Sequence, residues 1–321
     1  MKHIFIANPN AGQGKAAANI YNSLSSIDKS VQTEVYLTKG KCDAENYIKQ
    51  YMQNSNEQVR FYACGGDGTI YEVVNGVAPF PLASFTVYPC GSGNDFVKTF
   101  GKKEDFLNIS DLVNGEEIPI DIIKVNDRFC VNACHFGFDT FVAKKMDELR
   151  SKPVIGGKNV YTTSVAMGLA KGMRSKAQIT VDGNTITNGE FLLCTIANGR
   201  YVGGKYKCAP KAVVNDGLME FCVADPITRM TFIRLAKYYE QGTHLEYKRF
   251  KDFLHYTRCK HVDIKADEGF SIALDGEVIP ITNASVDIIH NGIKMALPKS
   301  ILKSKLNSVK AIPHKGSAED A

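Results

Sequence analysis

The first third of this chain repeats one pattern four times, and that pattern restricts what it can fold into more than any other feature. Each repeat is a short apolar run, then a glycine-rich or polar loop, with helical patterns between the runs. "HIFIA" (3–7) is followed by "NPNAGQGKA", and "TEVYLT" (33–38) by "KGKCDA". "VRFYAC" (59–64) ends in GGDGT, and "ASFTVY" (83–88) in "PCGSGNDF". Between them, residues 16–24, 44–52 and 70–77 read as helices. In the last of these, Ile70, Val73, Val74 and Val77 follow the i, i+3, i+4, i+7 stripe of a helix packed on a sheet. Strand and helix in alternation predict an α/β domain with an open, parallel, Rossmann-like sheet. Ligands bind beyond the carboxyl ends of such strands, and the glycine-rich loops all fall there, so a single pocket is expected.

The loops 8–15, 65–69 and 91–94 each lead toward a helix, whose N-terminus favours anions. Asp67 and Asp95 stand in or beside two of them. Bare backbone donors beside carboxylates suit a phosphate that carries magnesium. "NAGQGKA" lacks the leading glycine and the hydroxyl residue of a Walker A loop. Residues 8–15 do not supply a dinucleotide fingerprint either, and no protein-kinase signature appears.

From about residue 118 the texture changes. Short strands with turns at Asn126-Asp127 and Asp182-Gly183, interrupted by helical patterns at 139–149, 159–174 and 228–240, predict a mostly antiparallel β-sandwich. The expected division is 1–120 for nucleotide binding and 121–298 for the substrate. The Lys- and Ser-rich segment 299–321 either returns to the first domain or frays. The 321 residues suffice for two cores, and a net charge of +5 is too mild to announce nucleic-acid binding. It is compatible with weak attraction to an anionic membrane surface. Nine cysteines without a CxxC pair suggest neither a disulfide framework nor a zinc site. A reduced, cytoplasmic protein is expected, with no signal peptide and no spanning helix, touching the inner face of the membrane transiently. Cys64, Cys90 and His135 read as packing residues, and 162–176 as a helix on the second domain's core.

The motifs resemble those of the bacterial diacylglycerol kinases and related lipid kinases, whose catalytic domain is shared with sphingosine and ceramide kinases. "GGDGTIYEVVNG" (65–76) is similar to the family's nucleotide signature, and "NPNAGQGKA" and "GSGNDF" (91–96) to its other phosphate loops. "ANGRYVGGKYKCAPKAVVNDGLME" (197–220) and "LDGE" (274–277) resemble its second-domain motifs. GGDGT occurs in NAD kinases as well, and an NAD-kinase-like first domain is implied. Ala11, Lys205 and Tyr71 depart from the family's pattern, but no carboxylate is lost.

The resemblance implies transfer of the γ-phosphoryl of ATP to a lipid hydroxyl, with diacylglycerol the simplest acceptor. A sphingoid base, a monoacylglycerol or an isoprenoid alcohol stays open as acceptor. NAD kinase and a non-catalytic lipid or nucleotide sensor are the other readings. The nucleotide would lie against Gly65, Gly66, Asp67, Gly68 and Thr69, and against Gly91, Ser92, Gly93 and Asn94. By the same resemblance Asn8, Gly12, Thr38 and Glu72 join that site. Asp67 and Asp95 would hold the waters of magnesium, and a second magnesium would bind Asp216 and the carbonyls of Val213 and Leu218. "NDG" (215–217) also suits a plain type I′ turn. Glu277 is expected as the base that accepts the hydroxyl proton, with Asp275 second. Their closeness would raise their proton affinity. A homodimer is compatible with all of this.

Overall fold

The computed structural model describes residues 1–25, 27–91, 93–150, 160–171 and 173–302. Ser92, assigned above to a phosphate loop, lies outside them, as do residues 303–321 of the expected C-terminal segment.

The apolar runs of the first third form β1 (Lys2–Ala7), β2 (Thr33–Leu37), β3 (Val59–Gly65) and β4 (Ala83–Pro89). Between them lie α1 (Ala16–Leu24), α2 (Asp43–Gln53) and α3 (Asp67–Val77). The strands pair in parallel in the order β2-β1-β3-β4. β3 and β4 are buried along their whole length, as strands covered on both faces must be. The stripe of α3 faces the resulting core, with Ile70, Val73, Val74 and Val77 all buried.

A short helix, α4 (Ile109–Val113), leads into β5 (Glu116–Val125), β6 (Arg128–Cys130) and β7 (Ala133–Gly137). Next come α5 (Phe138–Arg150), α6 (Val160–Lys171), β8 (Ser175–Val181), β9 (Asn184–Phe191) and β10 (Leu193–Ala197). β11 (Met219–Ala224), α7 (Arg229–Gln241), β12 (Leu254–Cys259) and β13 (His261–Ala266) follow. The described strands end with β14 (Ser271–Leu274), β15 (Glu277–Pro280) and β16 (Asn283–Leu297).

One sheet of the sandwich has the order β12-β11-β10-β7-β14-β15, with every pairing antiparallel. The other is not separate from the first domain. β16 pairs with β13 through its first half and meets β4 in parallel at Met295, so one ten-stranded sheet crosses both domains. Phe136, Phe191, Phe221, Ile264 and Val286 fill the space between the two sheets. The chain then turns helical at 299–302, and Ile301 is buried in the first domain's core.

Side chains also bolt the domains together. Asn75 of α3 donates to the Phe129 carbonyl (2.8 Å) and accepts the Phe129 N–H (3.0 Å). Arg128 grips Glu45 of α2 with two hydrogen bonds, of 2.9 and 2.7 Å, and reaches the Tyr71 hydroxyl at 3.0 Å. Tyr71, where the family's pattern has a smaller residue, joins the second domain's core. The helix that begins after the Gly65-Gly66 turn is therefore anchored to the second domain.

Candidate active site

β3 ends in Gly65, and the chain turns through Gly66 into the N-terminus of α3. The loop after β4 lies against this turn. A methyl group on Gly91 would come within 2.5 Å of the Gly66 Cα, which only two glycines tolerate. Asp67 fixes the second loop. Its Oδ2 accepts the Asn94 N–H and its Oδ1 the Asp95 N–H, each at 2.9 Å. Burial, followed by the charge of Asp95, pushes the Asp67 carboxyl upward, and the two N–H groups oppose that shift. A Cβ on Gly93 would sit 2.4 Å from Asp67 Oδ2. Gly93→Ala should therefore break this clasp and weaken nucleotide binding by about 1–3 kcal/mol, measured by titration calorimetry.

Asp95 accepts Lys98 Nζ at 2.6 Å and the Gly204 N–H at 3.0 and 3.1 Å, closing the 203–204 turn over the phosphate loops. Asn94 Oδ1 is buried with no hydrogen-bond partner. An acceptor left open beside Asp67 and Asp95 suits a cation's water, so these residues fit a hydrated magnesium. Glu72 is placed differently. Its carboxylate accepts the N–H groups of Cys42 (2.8 Å) and Ala44 (3.1 Å), which ties α3 to the start of α2. The Asn8 N–H donates to the Cys64 carbonyl and the Thr38 N–H to the Ala7 carbonyl. With Gly12 at φ +59 in the following turn, both residues stand at the carboxyl ends of their strands.

"LDGE" forms a two-residue hairpin, with positive φ at Asp275 (48°) and Gly276 (94°) and Leu274 paired to Glu277. These are type I′ dihedrals. The two carboxylates have separate surroundings. Asp275 accepts the N–H groups of Val131, Asn132 and Ala133 at 2.9–3.0 Å. Burial pushes its carboxyl up to about 6, the three donors hold it back, and the carboxylate that adds to the rise is Asp67. The charge acting on Asp275 thus comes from the other domain. Glu277 faces the first domain. Its Oε1 lies 3.1 Å from where a methyl on Gly68 would stand, and its Oε2 accepts Lys41 Nζ at 2.8 Å. The Lys41 side chain is 76% exposed. An ion pair of that kind holds by only about 0–1 kcal/mol and yields readily to a bound phosphate.

Asp216 accepts the Leu218 N–H and pairs with Arg258, which also holds the buried Glu220. Only Gly217 of the NDG triplet has positive φ, so the type I′ alternative does not hold. One guanidinium between two carboxylates leaves a negative charge uncompensated. Both Asp216 oxygens are engaged, one by the Leu218 N–H and one by Arg258, so the magnesium expected there with the carbonyls of Val213 and Leu218 would have to displace the guanidinium. Among the described residues no group of three or more His, Cys, Asp or Glu side chains could hold a metal. Asp121, overlooked in the sequence, secures this loop. It is fully buried, accepts the Gly217 N–H at 2.7 Å and pairs with His290 at 2.8 Å. A lone acid inside the apolar run "IPIDIIKV" was the signal.

From Gly66, Gly68, Gly93, Asp275 and Glu277, a cavity of about 770 Å³ runs into the second domain. Its far end is apolar, walled by Val142 and Met146 of α5, Val165 of α6, Phe232 and Leu235 of α7, and Leu254. This places the helix expected within 162–176 on the cavity wall; Gly172 of that stretch lies outside the described residues. Between the two ends stand His135 and Asp139. His135 meets Thr195 Oγ1 at 3.2 Å, and burial pushes its imidazole down to about 4. Burial pushes the Asp139 carboxyl up to about 6. A carboxyl raised on folding favours the folded state in its protonated form, so this contribution is lost as pH rises from about 4 through 6. Asp139→Asn should raise stability at pH 7 by on the order of 1 kcal/mol, discounted for the open side of the cavity, with little gain at pH 4. Denaturant titrations at both pH values check it. The cysteines are all free. Burial raises the Cys64 and Cys90 thiols, as packing residues show.

Residues 2–125 match the Diacylglycerol kinase catalytic domain family, and residues 132–297 match the YegS C-terminal NAD kinase beta sandwich-like domain. The chain belongs to the diacylglycerol kinase family of lipid kinases. It is 28% identical over 298 residues to a diacylglycerol kinase of Bacillus subtilis, covering 92% of this chain and 95% of that one. To the "Probable lipid kinase YegS-like" of Alcanivorax borkumensis it is 26% identical over 266 residues, covering 80% and 84%. A crystal structure of a diacylglycerol kinase from Bacillus anthracis shares the fold. Its TM-score is 0.67 at 21% identity, and the match covers 94% of this lipid kinase family member and 98% of that chain. Among the described residues no helix is long and apolar enough to cross a membrane.

Proposed function

We propose that this lipid kinase transfers the γ-phosphoryl of ATP to the hydroxyl of a lipid alcohol, diacylglycerol first among them, releasing ADP and a lipid phosphate. The observation that carries this reading is the single cavity whose glycine and carboxylate end suits a triphosphate and whose opposite end is apolar.

The backbone N–H groups at the start of α3 receive the phosphates, with Gly93 of the second loop beside them. Asp67 and Asp95 keep the two loops in place, and with Asn94 they would hold magnesium, which supplies charge neutralisation on the phosphates when bound. A second ion would sit at Asp216 with the carbonyls of Val213 and Leu218, steadying the loop that Asp121 anchors. Glu277, over the N-terminus of α3, accepts the acceptor's hydroxyl proton as the oxygen attacks phosphorus. Lys41 releases Glu277 and turns to the phosphate charge. Asp275 positions the β6–β7 junction rather than taking the proton. His135 and Asp139 border the acceptor's polar head, and the apolar end takes its chain. Catalysis at a lipid surface is part of this reading.

Ala236 lines the cavity on α7. Ala236→Phe should fill part of the apolar end and shift preference toward acceptors with shorter chains by roughly tenfold in kcat/KM, with the KM for ATP unchanged. A chain-length profile identical to the unsubstituted protein's would place the acyl chain elsewhere.

A further inference from the structure

α7 carries two stripes of the same period. Phe232, Leu235, Ala236 and Tyr239 line the cavity, whereas Met230, Ile233, Arg234 and Lys237 lie on the outer side. Met230 is 61% exposed and Ile233 55%, high values for large apolar side chains. Met167 of α6 is also exposed. The two helices meet there, with Arg229 donating to the Leu169 carbonyl at 2.7 Å. A groove of about 880 Å³, bordered by Phe141, Leu169, Met173 and Met230, opens along this seam.

The charge around these apolar residues is mainly positive. The turn 247–251 is held against α7 by Tyr238, which stacks on Tyr247 at 4.4 Å and meets Phe250 edge-on. It presents Lys248, Arg249 and Lys251 to solvent. Residues 229–251 contain six basic and two acidic residues, and one of the acids, Glu240, pairs with Lys205. Asp252, exposed beside Lys251, is a third acid, so six basic residues against three acidic ones leave the helix and its turn net positive. Exposed apolar side chains within a basic field match an anionic phospholipid surface, whose interior takes the apolar groups and whose phosphates take the lysines and arginines.

We propose that the outer face of α7, with the exposed part of α6 and the 247–251 turn, seats this protein on an anionic lipid bilayer. The inner face of the same helix walls the cavity, so docking brings the acyl end of the cavity to the source of its substrate. This rests on the lipid-kinase reading for its purpose but not for its test.

The test is co-sedimentation with vesicles of phosphatidylglycerol and phosphatidylcholine in equal parts, compared with phosphatidylcholine alone. The unsubstituted protein, Met230→Ser/Ile233→Ser and Arg234→Glu/Lys237→Glu are run in parallel, with circular dichroism as the check on folding. The unsubstituted protein should partition onto the anionic vesicles in a salt-sensitive way, and each double variant should lose about tenfold or more of that binding. Phosphorylation of a short-chain diacylglycerol dispersed as monomers should stay within twofold in both variants. Equal vesicle binding by folded variants would overturn the proposal. So would a dimer in solution that the same substitutions break, since the face would then belong to a second copy. Loss of vesicle binding together with no lipid phosphorylation by any form would support the docking face and remove the lipid-kinase reading alone.

Discussion

Glu277→Gln will bind Mg·ATP with unchanged affinity and lose about 10²–10⁴-fold in kcat for the lipid acceptor. The side chain keeps its size and an oxygen to accept Lys41, so the 2.8 Å contact across the cleft survives with only its ion pair lost. What disappears is the capacity to take a proton at Oε1, the oxygen above Gly68 and the phosphate loop. Single-turnover kinetics with labelled ATP separates this from a binding defect. A variant that turns over like the unsubstituted protein would move the base to another carboxyl lining the cavity, Asp275 as the second candidate or Asp139.

Asp275→Ala will act on a different quantity. Three backbone N–H groups, of Val131, Asn132 and Ala133, end on this carboxylate. Its removal leaves them without an acceptor at the junction where the sandwich meets the phosphate site. The expected cost is about 2–4 kcal/mol, offset in part because a buried charge is removed with the side chain. That corresponds to a melting temperature lower by roughly 5–10 °C. Asp275→Asn, which keeps one oxygen acceptor and tolerates the positive φ, should recover part of the loss. An unchanged melting temperature for Asp275→Ala would show that the carboxylate is not the anchor of that junction.

These two residues, two positions apart around a glycine, show what a sequence does and does not convey. The turn had a local signal, since Asp-Gly between two apolar runs suits type I′ and both φ values are positive, although the expected hairpin turns were placed at Asn126-Asp127 and Asp182-Gly183. The partners were not legible, since they lie on segments 131–133 and 41, brought there only by the sandwich and by the closure of the domains. The first four strands and their helices were legible for the same local reason, as was the place of the candidate site beyond their carboxyl ends. β16 was harder. Its residues read as a short strand, whereas it runs fifteen residues and joins the sheets of both domains through a bulge between Ile289 and Ile293. The apolar wall of the cavity was invisible because α5, α6 and α7 each look like ordinary amphipathic helices. Only their packing leaves space between them. Glu72 and Asp95, expected at the nucleotide and its metal, also serve as anchors of neighbouring loops, and no periodicity distinguishes the two uses.

The most direct measurement is transfer of the labelled γ-phosphoryl from Mg·ATP to a panel of lipid alcohols in mixed micelles, with NAD included. The panel holds diacylglycerol, monoacylglycerol, a sphingoid base and an isoprenoid alcohol. The account predicts label in a lipid, diacylglycerol above the rest, and none in NAD. Label in NAD, or no transfer to any alcohol by a protein that still binds ATP, would contradict it.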